Sequence, residues 1–162
     1  MPGRCLNKNC LLLKLKSMKR KATAVWQGTG KEGKGTLSSS NKFFDNTPYS
    51  AKSRFENEDG MAGTNPEELI AAAHAGCFTM ALSFQIEGKG HKADELTTEA
   101  TVTIEKEESG FSITGIALDL VGKVSGMEQK EFEELANIAK ENCPVSQALS
   151  AVPISLNIKF SS

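Results

Sequence analysis

Apolar positions along the chain fall into two periodic classes. Thr98, Ala100, Val102 and Ile104 alternate with Thr97, Glu99, Thr101, Thr103 and Glu105, the period-two pattern of a half-buried strand. Glu107-Glu108-Ser109-Gly110 predicts a turn. Ile113, Ile116, Leu118 and Leu120 continue as the hairpin partner, with Gly115 at a bulge where the phase shifts. Ile154, Leu156, Ile158 and Phe160 alternate with polar residues in a closing strand. Nearer the start, residues 19–27, 33–40 and 50–56 read as three shorter strands, the third carrying Lys52 and Arg54, and residues 60–64 as a loop.

The second class has helical spacing. Asn65-Pro66-Glu67-Glu68 offers an N-cap, proline at the first helical position and an acidic first turn. An Ala- and Leu-rich stretch follows to about residue 87. Leu69, Ala73, Cys77, Met80, Ala81 and Phe84 fall on one face, beside small residues that permit close packing. A second helix is predicted over residues 127–142, capped by Ser125, with Phe132, Leu135, Ala136 and Ala139 inward. Pro144 stops it, and a short helix over 145–150 follows. Runs of strands separated from long helices predict an α+β domain with an antiparallel-rich sheet.

Composition adds exclusions. The 162 residues are 39% hydrophobic and 24% charged, with a net charge of −1, an ordinary globular balance. That charge leaves no footprint for nucleic acid or an anionic membrane, and one Trp and one Tyr make a poor base-stacking platform. Residues 1–17 read as an N-terminal extension outside the domain at 18–162. Their Leu11-Leu12-Leu13 run is broken by Lys14 and Lys16, unlike a signal peptide. With no span of about 20 apolar residues expected either, the cytoplasm is the default location.

Chemistry concentrates on cysteine. No CxxC is present, and His74 and His91 have no second ligand pair nearby, so no metal and no cofactor are expected. Cys5 and Cys10 lie in the extension. Cys77 and Cys143 carry two open readings: inert core thiols, since free Cys packs as a small hydrophobe, or a reactive pair. Cys143 precedes the short helix, whose N-terminal N–H groups favour thiolate. Cys77 lies mid-helix and needs a cation from elsewhere, for which Arg54 or Lys52 is available. Residue chemistry alone thus nominates Cys143 as the more reactive thiol.

Several segments then carry a resemblance. Gly33-Lys34-Gly35-Thr36, Ser53-Arg54-Phe55, the long block from Gly63-Thr64-Asn65-Pro66 through Ala75-Gly76-Cys77-Phe78-Thr79-Met80-Ala81-Leu82, and Cys143-Pro144-Val145-Ser146-Gln147 together resemble the OsmC family of organic hydroperoxide reductases. The placement of Arg54 is similar to the OsmC branch rather than its sister, the organic hydroperoxide resistance proteins. The resemblance implies antiparallel-rich sheets around a long central helix in an intertwined homodimer. It also implies a peroxidatic Cys77, a resolving Cys143 that closes a disulfide with it, and an Arg54 that activates Cys77 and is oriented by Glu67. The implied reductant is a dithiol, such as a lipoyl-bearing protein. Phe78, Met80, Phe84 and Phe132 would floor an apolar substrate site.

Two tensions remain at this level. Glu67 precedes Cys77 by ten residues, ~15 Å and ~280° on a regular helix. Arg54 can therefore serve both only if the helix starts late or bends, or if a second subunit meets it. His74 lies one turn before Cys77 and reads as a core or rim histidine, with no role implied by the resemblance. The rival function is a thiol redox sensor, or a domain on the same fold that binds hydrophobic ligands without turnover.

Overall fold

The computed structural model describes residues 17–56 and 63–162. The expected extension, with Cys5 and Cys10, and most of the expected loop at 60–64 lie outside them. Two compact units divide between Ala51 and Lys52.

The first unit is a three-stranded antiparallel sheet of β1 (Ala22–Gln27), β2 (Lys34–Ser39) and β3 (Thr47–Ser50), in that order. Trp26 and Tyr49 meet across it at 5.4 Å between ring centroids. Gly35 lies under Tyr49, whose ring occupies the space a Cβ would need. Every residue of β1 is exposed, so this sheet buries little by itself.

The second unit takes in α1 (Ala51–Phe55) from its second residue and continues with α2 (Pro66–Gly88), β4 (Glu95–Glu107), β5 (Gly110–Lys123), α3 (Gln129–Asn142), α4 (Pro144–Ala148) and β6 (Ile154–Ser161). The α+β class holds. The β4–β5 hairpin forms as expected, with its register shifting where Thr103 pairs Gly115 and Ile104 pairs Ile113. β6 joins β5 in parallel, so the sheet is mixed rather than purely antiparallel.

Three expectations need correction. Residues 51–55 are helical, not the end of a strand, so Arg54 sits on α1. Ser125 does not cap α3. Its N–H and hydroxyl donate to Asp94 instead, at 2.9 and 2.7 Å, and Glu128 takes the N-cap position without a side-chain bond.

The third concerns α2. Its buried stripe is His74, Phe78, Leu82 and Ile86, while Met80 and Phe84 stand exposed at 62% and 64%. Against the expected face (Ala73, Cys77, Ala81) this is an offset of one residue, about 100° of rotation. The same helix has the length and apolar composition of a membrane span. Here it packs on β4 and α3, and Thr79 ties it to β4 through a 2.7 Å bond to Thr98.

Phe132 from α3 stacks on Phe160 of β6, centroids 4.5 Å apart, and is fully buried. Its ring lies where a Cβ on Gly122 would stand. Gly122 in β5 is therefore the position at which α3 comes down onto the sheet. Overpacking a core costs about 1–3 kcal/mol. Gly122→Ala is expected to lower stability by that amount in chemical denaturation, and Phe132→Leu in the same chain to recover part of it.

Candidate thiol site

The α2 N-terminus is built as its sequence predicts. Asn65 accepts from the Glu68 N–H at 2.8 Å, Pro66 occupies the first turn, and Thr64 donates to the Glu68 carboxylate at 3.0 Å. Glu68 is thus tied to the cap through its N–H and to Thr64 through its carboxylate. Glu67 turns inward, 8% exposed, and takes the Arg54 guanidinium in a two-point pair, Nε to Oε2 at 3.1 Å and Nη2 to Oε1 at 2.5 Å. Arg54 also lies over the Phe55 ring at 4.8 Å, and Phe55 stacks on Phe111 at 4.4 Å. The Arg54–Glu67 pair therefore forms within one chain. It does so at the start of α2, with Glu67 about 15 Å along the axis from Cys77.

Cys77 is half-buried on α2, and Cys143 is fully buried at the α3–α4 junction. Their sulfurs lie 3.0 Å apart in an S–H···S contact. About 1 Å of travel separates that contact from a bonded sulfur pair at about 2.05 Å. Pro144 produces the approach: α3 ends on Cys143, whose extended backbone caps α4 and turns the thiol back toward α2.

The two thiols have opposite acidities. Burial pushes Cys77 up, and the adjacent Cys143 pushes it further, against a smaller lowering by the Val145 N–H. Burial also acts to raise Cys143, but contacts from Cys77, the Ser146 N–H and hydroxyl, and the Val145 N–H outweigh it and bring it down. Within one chain Cys143 is the more acidic thiol, as its position before α4 suggested.

Other expected site residues are dispersed. Phe78 and Phe132 belong to the core, and Met80 and Phe84 face outward on α2. Among the described residues no group of three His, Cys, Asp or Glu side chains could hold a metal ion. Two residues enter the site without having been predicted there. His74, fully buried, has Nε2 at 2.8 Å from the Ser146 hydroxyl, and its Nδ1 has no hydrogen-bond partner. Ser146 stood inside the Cys-Pro-Val-Ser block, but nothing in that spacing pairs it with a histidine 72 positions earlier.

A family model described as OsmC-like protein matches residues 57–158. Peroxiredoxin OsmC of Escherichia coli is 44% identical over 132 residues, covering 82% of this chain and 90% of that protein. The chain belongs to the OsmC-like family. It is also similar to the organic hydroperoxide resistance protein OhrB of Bacillus subtilis, 35% identical over 105 residues, covering 63% of this chain and 74% of that one. The crystal structure of OhrB superposes with a TM-score of 0.63 at 29% identity, over 86% of this chain and 98% of its own. This family membership agrees with the resemblance read from the motif blocks.

Burial lowers the pKa of His74 below its ordinary 6.5. The folded chain then binds fewer protons than the unfolded chain as pH falls through that value, so acid favours unfolding. Between pH 6.5 and the lower folded value, wild-type stability is expected to decline with falling pH. In His74→Phe that part of the decline disappears, as denaturation across the range would show.

Proposed function

We propose that this chain is a cysteine-based hydroperoxide reductase with Cys77 as peroxidatic and Cys143 as resolving thiol. The 3.0 Å approach of the two sulfurs carries the reading: one is accessible from solvent, the other buried behind it, and a disulfide needs almost no rearrangement. Relatives named as a peroxiredoxin and as organic hydroperoxide resistance proteins support it.

In the cycle, the Cys77 thiolate attacks the terminal oxygen of a hydroperoxide. The O–O bond breaks, the alkoxide takes a proton to leave as alcohol, and Cys77 becomes a sulfenic acid. The Cys143 sulfur then attacks Cys77, forming the disulfide and expelling water. A dithiol, for which a lipoyl-bearing protein is suitable, reduces the disulfide and restores both thiols. A cytoplasmic location suits a cycle that depends on a reducing thiol pool.

The raised pKa of Cys77 demands a cation that its own surroundings do not supply. We infer that it comes from Arg54 of a second copy, with Glu67 holding the guanidinium in orientation. The outer face of α2 supports a homodimer: Ala72, Ala73, Gly76, Met80 and Phe84 are all exposed, a small-residue and apolar strip suited to close packing on a symmetric mate. Met80 and Phe84 would then line the mouth above Cys77 and favour alkyl over inorganic peroxides. Phe78 and Phe132 would support that floor from the core. The domain is taken to run over 18–162.

Given an alkyl hydroperoxide and dihydrolipoamide, the wild type is expected to turn over repeatedly. Cys77→Ser is expected to be inert, and Cys143→Ser to stop after one oxidation with higher oxidation states trapped. One stoichiometric oxidation in the wild type would identify a sensor instead, and inert thiols would leave a structural domain. First oxidation lost in Cys143→Ser but kept in Cys77→Ser would reverse the roles.

The dimer has its own test. Sedimentation is expected to give twice the chain mass, and Phe84→Glu to shift it toward the monomer with loss of turnover. A monomeric wild type with full activity would sink the shared-site arrangement.

A further inference from the structure

Among the described residues, the proposed cycle leaves one buried titratable side chain, His74, without a role. His74 stands one turn before Cys77 on α2, fully buried, with Nε2 at 2.8 Å from the Ser146 hydroxyl and Nδ1 unpartnered. Ser146, 6% exposed, lies one turn after Cys143 and is the only buried residue of α4. Cys143 in turn lies 3.0 Å from Cys77. Two contacts bridge α2 and the start of α4, His74 to Ser146 and Cys77 to Cys143, and in each element the two residues stand three positions apart.

An unsatisfied polar nitrogen in a core carries a free-energy cost that an apolar residue of similar size would avoid. Of the two neutral tautomers, the one with its proton on Nε2 leaves a bare acceptor at Nδ1, a less unfavourable orphan than a buried N–H. In that tautomer His74 donates to the Ser146 oxygen. The Ser146 proton is then free to point at sulfur.

We propose that His74 and Ser146 form a hydrogen-bond chain that holds Cys143 as the thiolate for the closing step, with Ser146 donating to the sulfur and His74 a positioning residue acting through it. The inference deepens the peroxidase reading and rests on it. Cys143 first gives its proton to solvent. Its thiolate then attacks the Cys77 sulfenic acid: the S–S bond forms, the S–O bond breaks, and the departing hydroxide takes a proton to leave as water. From α2, Cys77 contacts Cys143 directly and His74 reaches toward it through Ser146. Lys140, in the last turn of α3, directs its ammonium to the Ile154 carbonyl at 3.3 Å, and α4 carries no charged side chain.

The acidity of Cys143 can be read without peroxide by thiolate absorbance against pH in a chain with Cys5, Cys10 and Cys77 all replaced by Ser, which leaves Cys143 as its one thiol. Ser146→Ala in that chain is expected to reduce the thiolate fraction at neutral pH on the order of tenfold. His74→Leu should give a smaller loss in the same direction, and Ser146→Thr, which keeps the hydroxyl, should retain the wild-type titration. With Cys77 present, the rate of disulfide closure relative to the first oxidation should fall by a similar factor in Ser146→Ala, and trappable sulfenic acid should accumulate. If Ser146→Ala folds poorly, Ser146→Thr and Ser146→Val, nearly equal in shape, isolate the hydroxyl. Identical Cys143 titrations in those two variants, or an unchanged titration in a well-folded Ser146→Ala, would overturn the proposal. A wild type that shows no turnover would remove the peroxidase reading while leaving the titration readable.

Discussion

The site depends on one packing constraint, the burial of an i, i+4 ridge along α2. His74, Phe78, Leu82 and Ile86 follow one another at four-residue spacing and are all inaccessible to solvent. Phe78, Leu82 and Ile86 pack among Leu118 and Leu120 of β5 and Phe132, Leu135 and Ala139 of α3, while His74 meets Ser146. Rows of this kind set how helices seat against neighbours. Once the ridge is buried, Cys77 has no freedom of direction. It sits at the ridge's edge, half-covered, facing the point where α3 ends. Pro144 sets that end, because a proline there cannot extend α3's hydrogen bonding and Cys143 is left as the shared cap of two helices. The sulfur contact is thus a consequence of where a core ridge and a proline fall.

The same geometry sets a conflict between the two thiols. Burial acts against ionisation of both, but the Ser146 and Val145 N–H groups favour Cys143, while Cys77 has only the Val145 N–H against burial and a neighbouring sulfur. In the proposed cycle an acidic Cys143 would be useful, since it would be ready to attack as soon as a sulfenic acid formed on Cys77. A protonated Cys77 would not be. Under the proposed cycle, one cation brought to Cys77 by a second chain would remove the conflict, and the exposed strip on α2 beside Cys77 is the face it would approach.

How much of this was legible in the sequence differs from element to element. The β4–β5 hairpin and its bulge were readable because strict alternation fixes phase, and Gly115 marks where it slips. The N-terminus of α2 was readable because Asn65, Pro66 and Glu68 each make a local interaction. The face of α2 was not. Ala, Gly, Cys, Met and Phe occur all round it, so apolar contrast barely distinguishes one rotation from the next, and the expected stripe came out one residue away. His74 concealed the answer, being the polar residue that the core admits. The segment at 51–55 reads as strand in the sequence for a related reason: a five-residue helix contains too few turns for a period to show. Cys143's acidity was legible from local chemistry, whereas the contact between His74 and Ser146 was not, since it joins two elements that no short-range pattern relates.

Arg54 shows how a weakly stabilising contact can still be a precise one. The side chain is 32% exposed, and its partner Glu67 10%, so the pair adds only about 0–1 kcal/mol to folding. Yet the guanidinium is held twice over, by a two-point carboxylate fork and by the Phe55 ring, itself stacked on Phe111. Such restraint removes rotamer freedom from a flexible side chain, a cost without return if the group serves stability alone. It has a return if the guanidinium must meet a peroxide in one orientation, because the entropy is then lost during folding rather than in the reaction. The Glu67 carboxylate also limits the charge that Arg54 can project, so effective activation of Cys77 requires close approach. Arg54 would then act on a thiol brought into contact with it, and the catalytic pair would be assembled by association of two chains.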